Sequence, residues 1–157
     1  MHQLDLRSPL SCLLLLSILL GCEPKRIVRP SGIVFETAPK GAVAPWVASR
    51  ARRAREEGDI PLVYVSAPWC EPCQVFQKAA HEGLLDREFP NLLLLKFDID
   101  SDSERLNQAG YQGAMIPLFV VPQADGTASA RKFAGSVKGR AAIQDLVPKL
   151  RTLLSPP

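Results

Sequence analysis

Hydrophobic positions fall into short blocks separated by Pro, Gly and charge. Leu62-Val63-Tyr64-Val65 follows Pro61, and Asn91-Leu92-Leu93-Leu94-Leu95-Lys96-Phe97 is closed by Asp98. Neither block alternates, and unbroken apolar runs of this length predict strands covered on both faces. Between them, from Cys73 to about Leu85, Val75, Phe76, Ala79, Ala80 and Leu84 recur at helical spacing. They predict a crossover helix long enough to join parallel strands. Upstream, Trp46 to Glu57 holds no breaker and stops at Gly58, which predicts a helix. Downstream, Ser103 to Ala109 predicts a short helix ending at Gly110, and Ile116 to Val121 a third strand with Pro117 inside it. Asp125-Gly126 marks a hairpin turn into a strand over Ala130 to Phe133. Ile143, Leu146, Val147 and Leu150 make the apolar face of a last helix, with Pro148 predicted to kink it. The fold class is therefore α/β: a mixed central sheet with helices on both faces, its early strands parallel and its final pair antiparallel.

Ahead of this pattern, Glu23 to Pro45 carries Pro24, Pro30, Pro39 and Pro45 with Gly32 and Gly41, a composition suited to an extended tether. Ile33-Val34-Phe35 within it can add a short edge strand. Leu10 to Leu20 is a largely apolar run preceded by Arg7 and closed by Gly21-Cys22. Eleven residues make a helix of about 16 Å against a hydrocarbon thickness of ~30 Å, so the run fits a signal-peptide core better than a membrane span. Leu19-Leu20-Gly21-Cys22 resembles the bacterial lipoprotein signal, which implies removal of 1–21 and diacylation of Cys22. A cleaved signal without lipid, or an uncleaved anchor, is the alternative. Two acyl chains, at ~0.8 kcal/mol per buried methylene, hold stably where one is marginal. The expected organisation is a lipoprotein signal over 1–21, a lipidated cysteine and tether over 22–45, and one domain over 46–157. The protein is then expected on a cell or outer membrane, facing the periplasm or extracytoplasmic space.

Composition narrows the function classes. The chain has 157 residues, 46% hydrophobic and 22% charged, with a formal net charge of +3. That length suits one domain. A charge so near balance gives no sign of a nucleic-acid partner, which calls for clustered basic residues and a higher pI. Arg50, Arg52, Arg53 and Arg55 invite a role at anionic headgroups. Glu56 and Glu57 neutralise part of that run, and the plainer reading is a solvated helix face.

Cysteine usage changes the picture most. Cys12 lies in the signal and Cys22 is the lipid candidate, which leaves Cys70 and Cys73, in Trp69-Cys70-Glu71-Pro72-Cys73, as an isolated pair. Two cysteines three apart are no disulfide framework. Structural zinc needs four ligands, and apart from the pair the mature chain offers His81 alone, a helix-end residue. Haem attachment wants His after the second cysteine, where Gln74 stands. No metal site and no cofactor is expected, although two soft thiolates also suit Cu(I). The pair lies where a strand gives way to the crossover helix. A helix N-terminus carries unpaired N–H groups and partial positive charge, which favours a thiolate. Cys70 is thus the candidate attacking sulfur. Cys73, one turn on, can resolve a mixed disulfide, and Pro72 fits an early helical position.

These residues resemble the thioredoxin superfamily from about Trp46 to the C-terminus. Ala67-Pro68-Trp69-Cys70-Glu71-Pro72-Cys73 is similar to its active-site segment, with Glu71 where Gly is usual. Lys96-Phe97-Asp98-Ile99-Asp100 is similar to its third strand and following turn, and Met115-Ile116-Pro117 to its cis-proline loop. Phe133-Ala134-Gly135 with Lys138-Gly139 is similar to its last strand and final-helix entry. The segment 51–61 is similar to tethered periplasmic members. The resemblance implies a thioredoxin fold and a thiol-disulfide oxidoreductase with Cys70 and Cys73 catalytic. Trp69, Pro72, Ile116 and Pro117 would meet the client, and Lys96 would tune the pair. Glu71 should oppose thiolate formation at Cys70 by like charge, weakly at an exposed position. Tyr64 stands where the family usually buries an Asp, and it reads as a packed core aromatic. Pro72 in the third motif position leans toward reduction of protein disulfides, by a monomer recharged by a membrane electron donor. The alternative is a thioredoxin-fold module that binds Cu(I) or a client protein without turnover.

Overall fold

The structure, a computed structural model, describes residues 31–156. The signal run and Cys22 lie outside the described residues. Nine elements follow in order: β1 (Gly32–Thr37), α1 (Val43–Glu56), β2 (Ile60–Ser66), α2 (Glu71–His81), β3 (Asn91–Asp98), α3 (Ile99–Gln108), β4 (Leu118–Pro122), β5 (Ala128–Ala134) and α4 (Ala141–Leu154). The sheet order is β1-β3-β2-β4-β5. β1 and β2 run parallel to β3, whereas β4 is antiparallel to both β2 and β5. This is the mixed sheet expected, and the architecture is a thioredoxin fold.

The unbroken apolar runs are explained by two cores. Val63, Val65, Leu93, Leu95, Phe97, Leu118 and Val120 face α1 and α3 on one side of the sheet. Leu62, Tyr64, Leu92, Leu94 and Phe119 face α2 and α4 on the other. Period-2 alternation is present, but both faces are buried, so both sets must be apolar. An aromatic cluster fills the second core, with Phe119 at 4.9 Å from Tyr64, 5.2 Å from Phe76 and 5.0 Å from Phe133 between ring centroids.

Several boundaries differ from the sequence reading, each for a local reason. β1 spans six residues inside the stretch expected as tether, because Gly32 to Thr37 registers with Asn91 to Lys96 along the free edge of β3. α1 starts at Val43, three residues ahead of Trp46. Pro45 falls in its first turn, where a missing N–H leaves no helical bond unmade. α3 starts at Ile99 because Asp98 caps it, its side chain accepting from Asp100 N–H. α2 ends at His81, and Gly83 turns the chain at φ +72°. That turn leaves Leu84, expected on the buried face, 69% exposed, and Leu85 goes inside instead. β4 begins only at Leu118, after a cis bond between Ile116 and Pro117.

The arginine run is divided among separate tasks. Arg50 forms a bidentate ion pair with Glu36 of β1, which holds its pKa above the ordinary value. Arg55 donates to the Pro122 carbonyl, while Arg52 and Arg53 are exposed. Arg105 pairs with buried Asp102 and donates to the carbonyls of Pro39 and Gly41, fastening the β1–α1 connection to α3.

Candidate active site

β2 ends at Ser66 and α2 begins at Glu71, and the turn between them carries the cysteine motif. Cys70 is the N-cap of α2, in extended conformation, and its Sγ accepts from Cys73 N–H at 3.3 Å. Pro72 sits in the first helical turn, where no acceptor awaits its nitrogen. Cys70 and Cys73 are joined in a disulfide, with Cα atoms 5.2 Å apart. Ala67, Ile99 and Ile116 pack around the pair.

The two sulfurs differ in access. Cys73 is fully buried, whereas Cys70 keeps 4% of its surface and lines a groove of about 670 Å³. Trp69, Glu71, Pro72 and Ile116 line the same groove, and Pro117 follows Ile116 through the cis bond. Pro117 also accepts from Gly135 N–H through its carbonyl at 2.8 Å. Trp69 is 66% exposed, with its indole Nε1–H donating to Asp100 Oδ2 at 2.8 Å. Its ring is therefore held in place while a broad apolar surface stays open. A chain lying in this groove meets Cys70 first, at the positive end of α2, where Cys73 N–H points at the Cys70 sulfur.

Lys96 is placed elsewhere. On β3 it registers with Tyr64, and its Nζ donates to Gln77 Oε1 at 2.8 Å, one turn beyond Cys73. Gln77 Nε2 in turn donates to Tyr64 OH at 3.3 Å. Burial raises the Tyr64 phenol above its ordinary pKa despite hydrogen bonds from Gln77 and Ser66 that act the other way. Tyr64 is thus a neutral core residue, and Lys96 faces a neutral amide. His81, at the exposed end of α2, stacks on Phe35 and contacts the Gln77 carbonyl. Among the described residues no cluster of His, Cys, Asp and Glu is arranged to hold a metal ion.

The groove also contains residues that the sequence reading gave no site role. Asp100 anchors Trp69, and Met115 supplies exposed apolar surface. Gly135, Ser136 and Lys138 form a wall between β5 and α4. At Gly135, φ is +76°, so glycine is needed there for the backbone, while a Cβ would displace only the flexible, exposed end of Met115. A run of Gly, Ser and Lys carries no signal of its own; only the fold brings it beside the cysteines.

No protein-family model and no curated protein matches the chain. Among solved structures the chain is similar to a poplar thioredoxin h, with TM-score 0.48 and 24% identity over 80% of this chain and 99% of that one. It is similar to a thioredoxin from Trypanosoma brucei brucei, with TM-score 0.45 and 20% identity over 82% and 96% of the two chains. It is also similar to thioredoxin O1 from Arabidopsis thaliana in its oxidised state, with TM-score 0.44 and 19% identity over 78% and 95%. The likeness is one of fold.

Proposed function

We propose that the protein is a thiol-disulfide oxidoreductase that reduces protein disulfides outside the cytoplasm, held at a membrane by lipid on Cys22. The observation that carries the redox reading is the Cys70–Cys73 disulfide at the start of α2, with Cys70 alone of the pair lining the groove. The lipid and the compartment rest on the apolar run and Leu19-Leu20-Gly21-Cys22.

In the reduced protein the Cys70 thiolate attacks one sulfur of a client disulfide. A mixed disulfide forms and the first client sulfur leaves as a thiolate, which takes a proton from water. Cys73 gives its thiol proton to water or to the departing client sulfur, and its thiolate attacks Cys70 Sγ. The second client sulfur departs, and the Cys70–Cys73 disulfide closes. The client has gained two electrons, and the protein needs a dithiol donor to open its disulfide again. That donor is proposed to be a membrane protein. Thioredoxin-type sites lie near about −270 mV and strong periplasmic oxidants near about −120 mV, a gap of about 7 kcal/mol, so the potential of this pair decides the direction.

Insulin reduction with dithiothreitol as donor tests the reading. The wild type is expected to turn over, Cys70→Ser to be inactive, and Cys73→Ser to accumulate a mixed disulfide that non-reducing electrophoresis resolves. An inactive wild type that instead binds Cu(I) at one equivalent through the same cysteines overturns the proposal in favour of a binding module.

A further inference from the structure

Glu71 directly follows Cys70, yet its carboxylate is engaged with a backbone group 68 residues away, accepting from Gly139 N–H at 3.1 Å. That bond joins several that fix the segment from Gly135 to Gly139, among them Val137 N–H to the Asp145 carboxylate and Ala142 N–H to the Gly139 carbonyl at 3.0 Å. Gly135 N–H donates to the Pro117 carbonyl at 2.8 Å, and Ser136 Oγ–H donates to Asp145 Oδ2 at 2.9 Å. Those two act at the start of the segment. Glu71 acts at its end and ties it to the turn that bears the disulfide.

The segment has reason to depend on such bonds. Gly135 and Gly139 both hold positive φ, +76° and +74°, and a Cβ at Gly139 would meet nothing within 4 Å. Glycine loses more backbone entropy on ordering than any other residue, and packing at Gly139 does not compensate. A hydrogen bond to an ionised carboxylate is stronger than a neutral one. Gly135, Ser136 and Lys138 of this segment line the groove that reaches Cys70. The groove's other carboxylate, Asp100, likewise holds a wall in place through Trp69.

We propose that Glu71 is a positioning residue for client binding: its carboxylate latches the Gly135–Gly139 segment to the disulfide turn and so sets the shape of the groove a client chain occupies. The client-binding half rests on the oxidoreductase reading, whereas the latch does not. An extended protein client touches the groove walls as well as the sulfur. A small symmetrical disulfide needs little beyond the sulfur. Loss of the latch should therefore weaken protein clients selectively, through KM more than kcat.

The test uses the full chain with Glu71→Ala and Glu71→Gln. Gln loses the charge but keeps an oxygen acceptor, so it is the conservative rescue. Amide exchange at Gly139, followed by NMR, should speed up about three- to tenfold in Glu71→Ala, the factor expected of a partly exposed hydrogen bond, and Glu71→Gln should recover most of the protection. KM for insulin should rise by a similar factor in Glu71→Ala, with a smaller change in its rate on hydroxyethyl disulfide. Unchanged Gly139 exchange in Glu71→Ala overturns the latch. If Glu71→Gln restores Gly139 protection yet leaves KM for insulin as high as in Glu71→Ala, or both disulfides slow equally, the residue acts through its charge on Cys70 and the proposal fails. A wild type that does not reduce insulin sinks the oxidoreductase reading and the client-binding half with it, while Gly139 exchange still decides the latch.

Discussion

At Tyr64 one side chain joins two kinds of interaction. The ring is fully buried against Phe76 and Phe119, and the hydroxyl accepts from Gln77, which also holds Lys96. Tyr64→Phe keeps the packing and removes the hydroxyl's hydrogen bonds with Gln77 and Ser66, so it is expected to cost about 1 to 2 kcal/mol in urea unfolding. Tyr64→Ala opens a cavity in the aromatic cluster and should cost about 3 to 5 kcal/mol. The resemblance suggested that Lys96 tunes the cysteines, since the family pairs such a lysine with a buried acid. Tyr64 is read directly from the sequence as a core aromatic, but the intermediary is not. Gln77 lies 13 residues from Tyr64 and 19 from Lys96, and nothing in a glutamine on a helix announces two partners on neighbouring strands.

Elements were legible where their own residues define them. β2 and β3 stand out as apolar runs because two layers of helix cover them, and the cysteine motif declares the start of α2. β1 was legible only as three residues, because its remaining positions are fixed by the edge of β3 rather than by their own pattern. Leu84 was misplaced for a related reason: helical spacing continues to it, but the helix does not. The β4–β5 hairpin shows how closely elements constrain each other. Gly126 holds φ +82° and a Cβ there would lie 1.9 Å from the Ala44 carbonyl oxygen at the start of α1. Its own carbonyl accepts from Tyr111 OH at 2.8 Å. Gly126→Ala is expected to destabilise by about 2 to 4 kcal/mol, from strained backbone plus overpacking, in thermal or urea melts. Asp125→Ala next to it has no such clash and should cost well under half as much.

For the molecule as a whole, two carboxylates hold separate connections and tie stability to pH. At Asp102 burial opposes ionisation, but bonds from Asp98 N–H and Arg105 outweigh it and its pKa lies below the ordinary 3.8. Asp145 is likewise lowered, by Lys149 first and Ser136 next. A carboxylate with a depressed folded pKa contributes its stability in full above the unfolded pKa and loses it as pH falls through the folded value. Stability should therefore be flat from neutrality to about pH 5 and fall below about pH 4. Asp102→Asn should flatten that fall and lower stability at pH 7 by about 1 to 3 kcal/mol. A steeper acid limb in the variant would contradict the role given to Asp102.

The direction of the strands has a consequence for a tethered protein. β1 enters the sheet at Gly32 and runs parallel to β3, which runs parallel to β2, so Gly32 lies at the end of the sheet remote from the turn after Ser66. Ten residue steps separate Cys22 from Gly32, at most about 3.3–3.6 Å each, so the chain between them spans no more than about 36 Å. Were Cys22 to carry the proposed lipid, the attachment would enter at that end, and the cysteine turn would lie at the opposite end of the sheet. A membrane donor of the kind proposed would then have to meet the disulfide at the far end of the domain from its point of attachment.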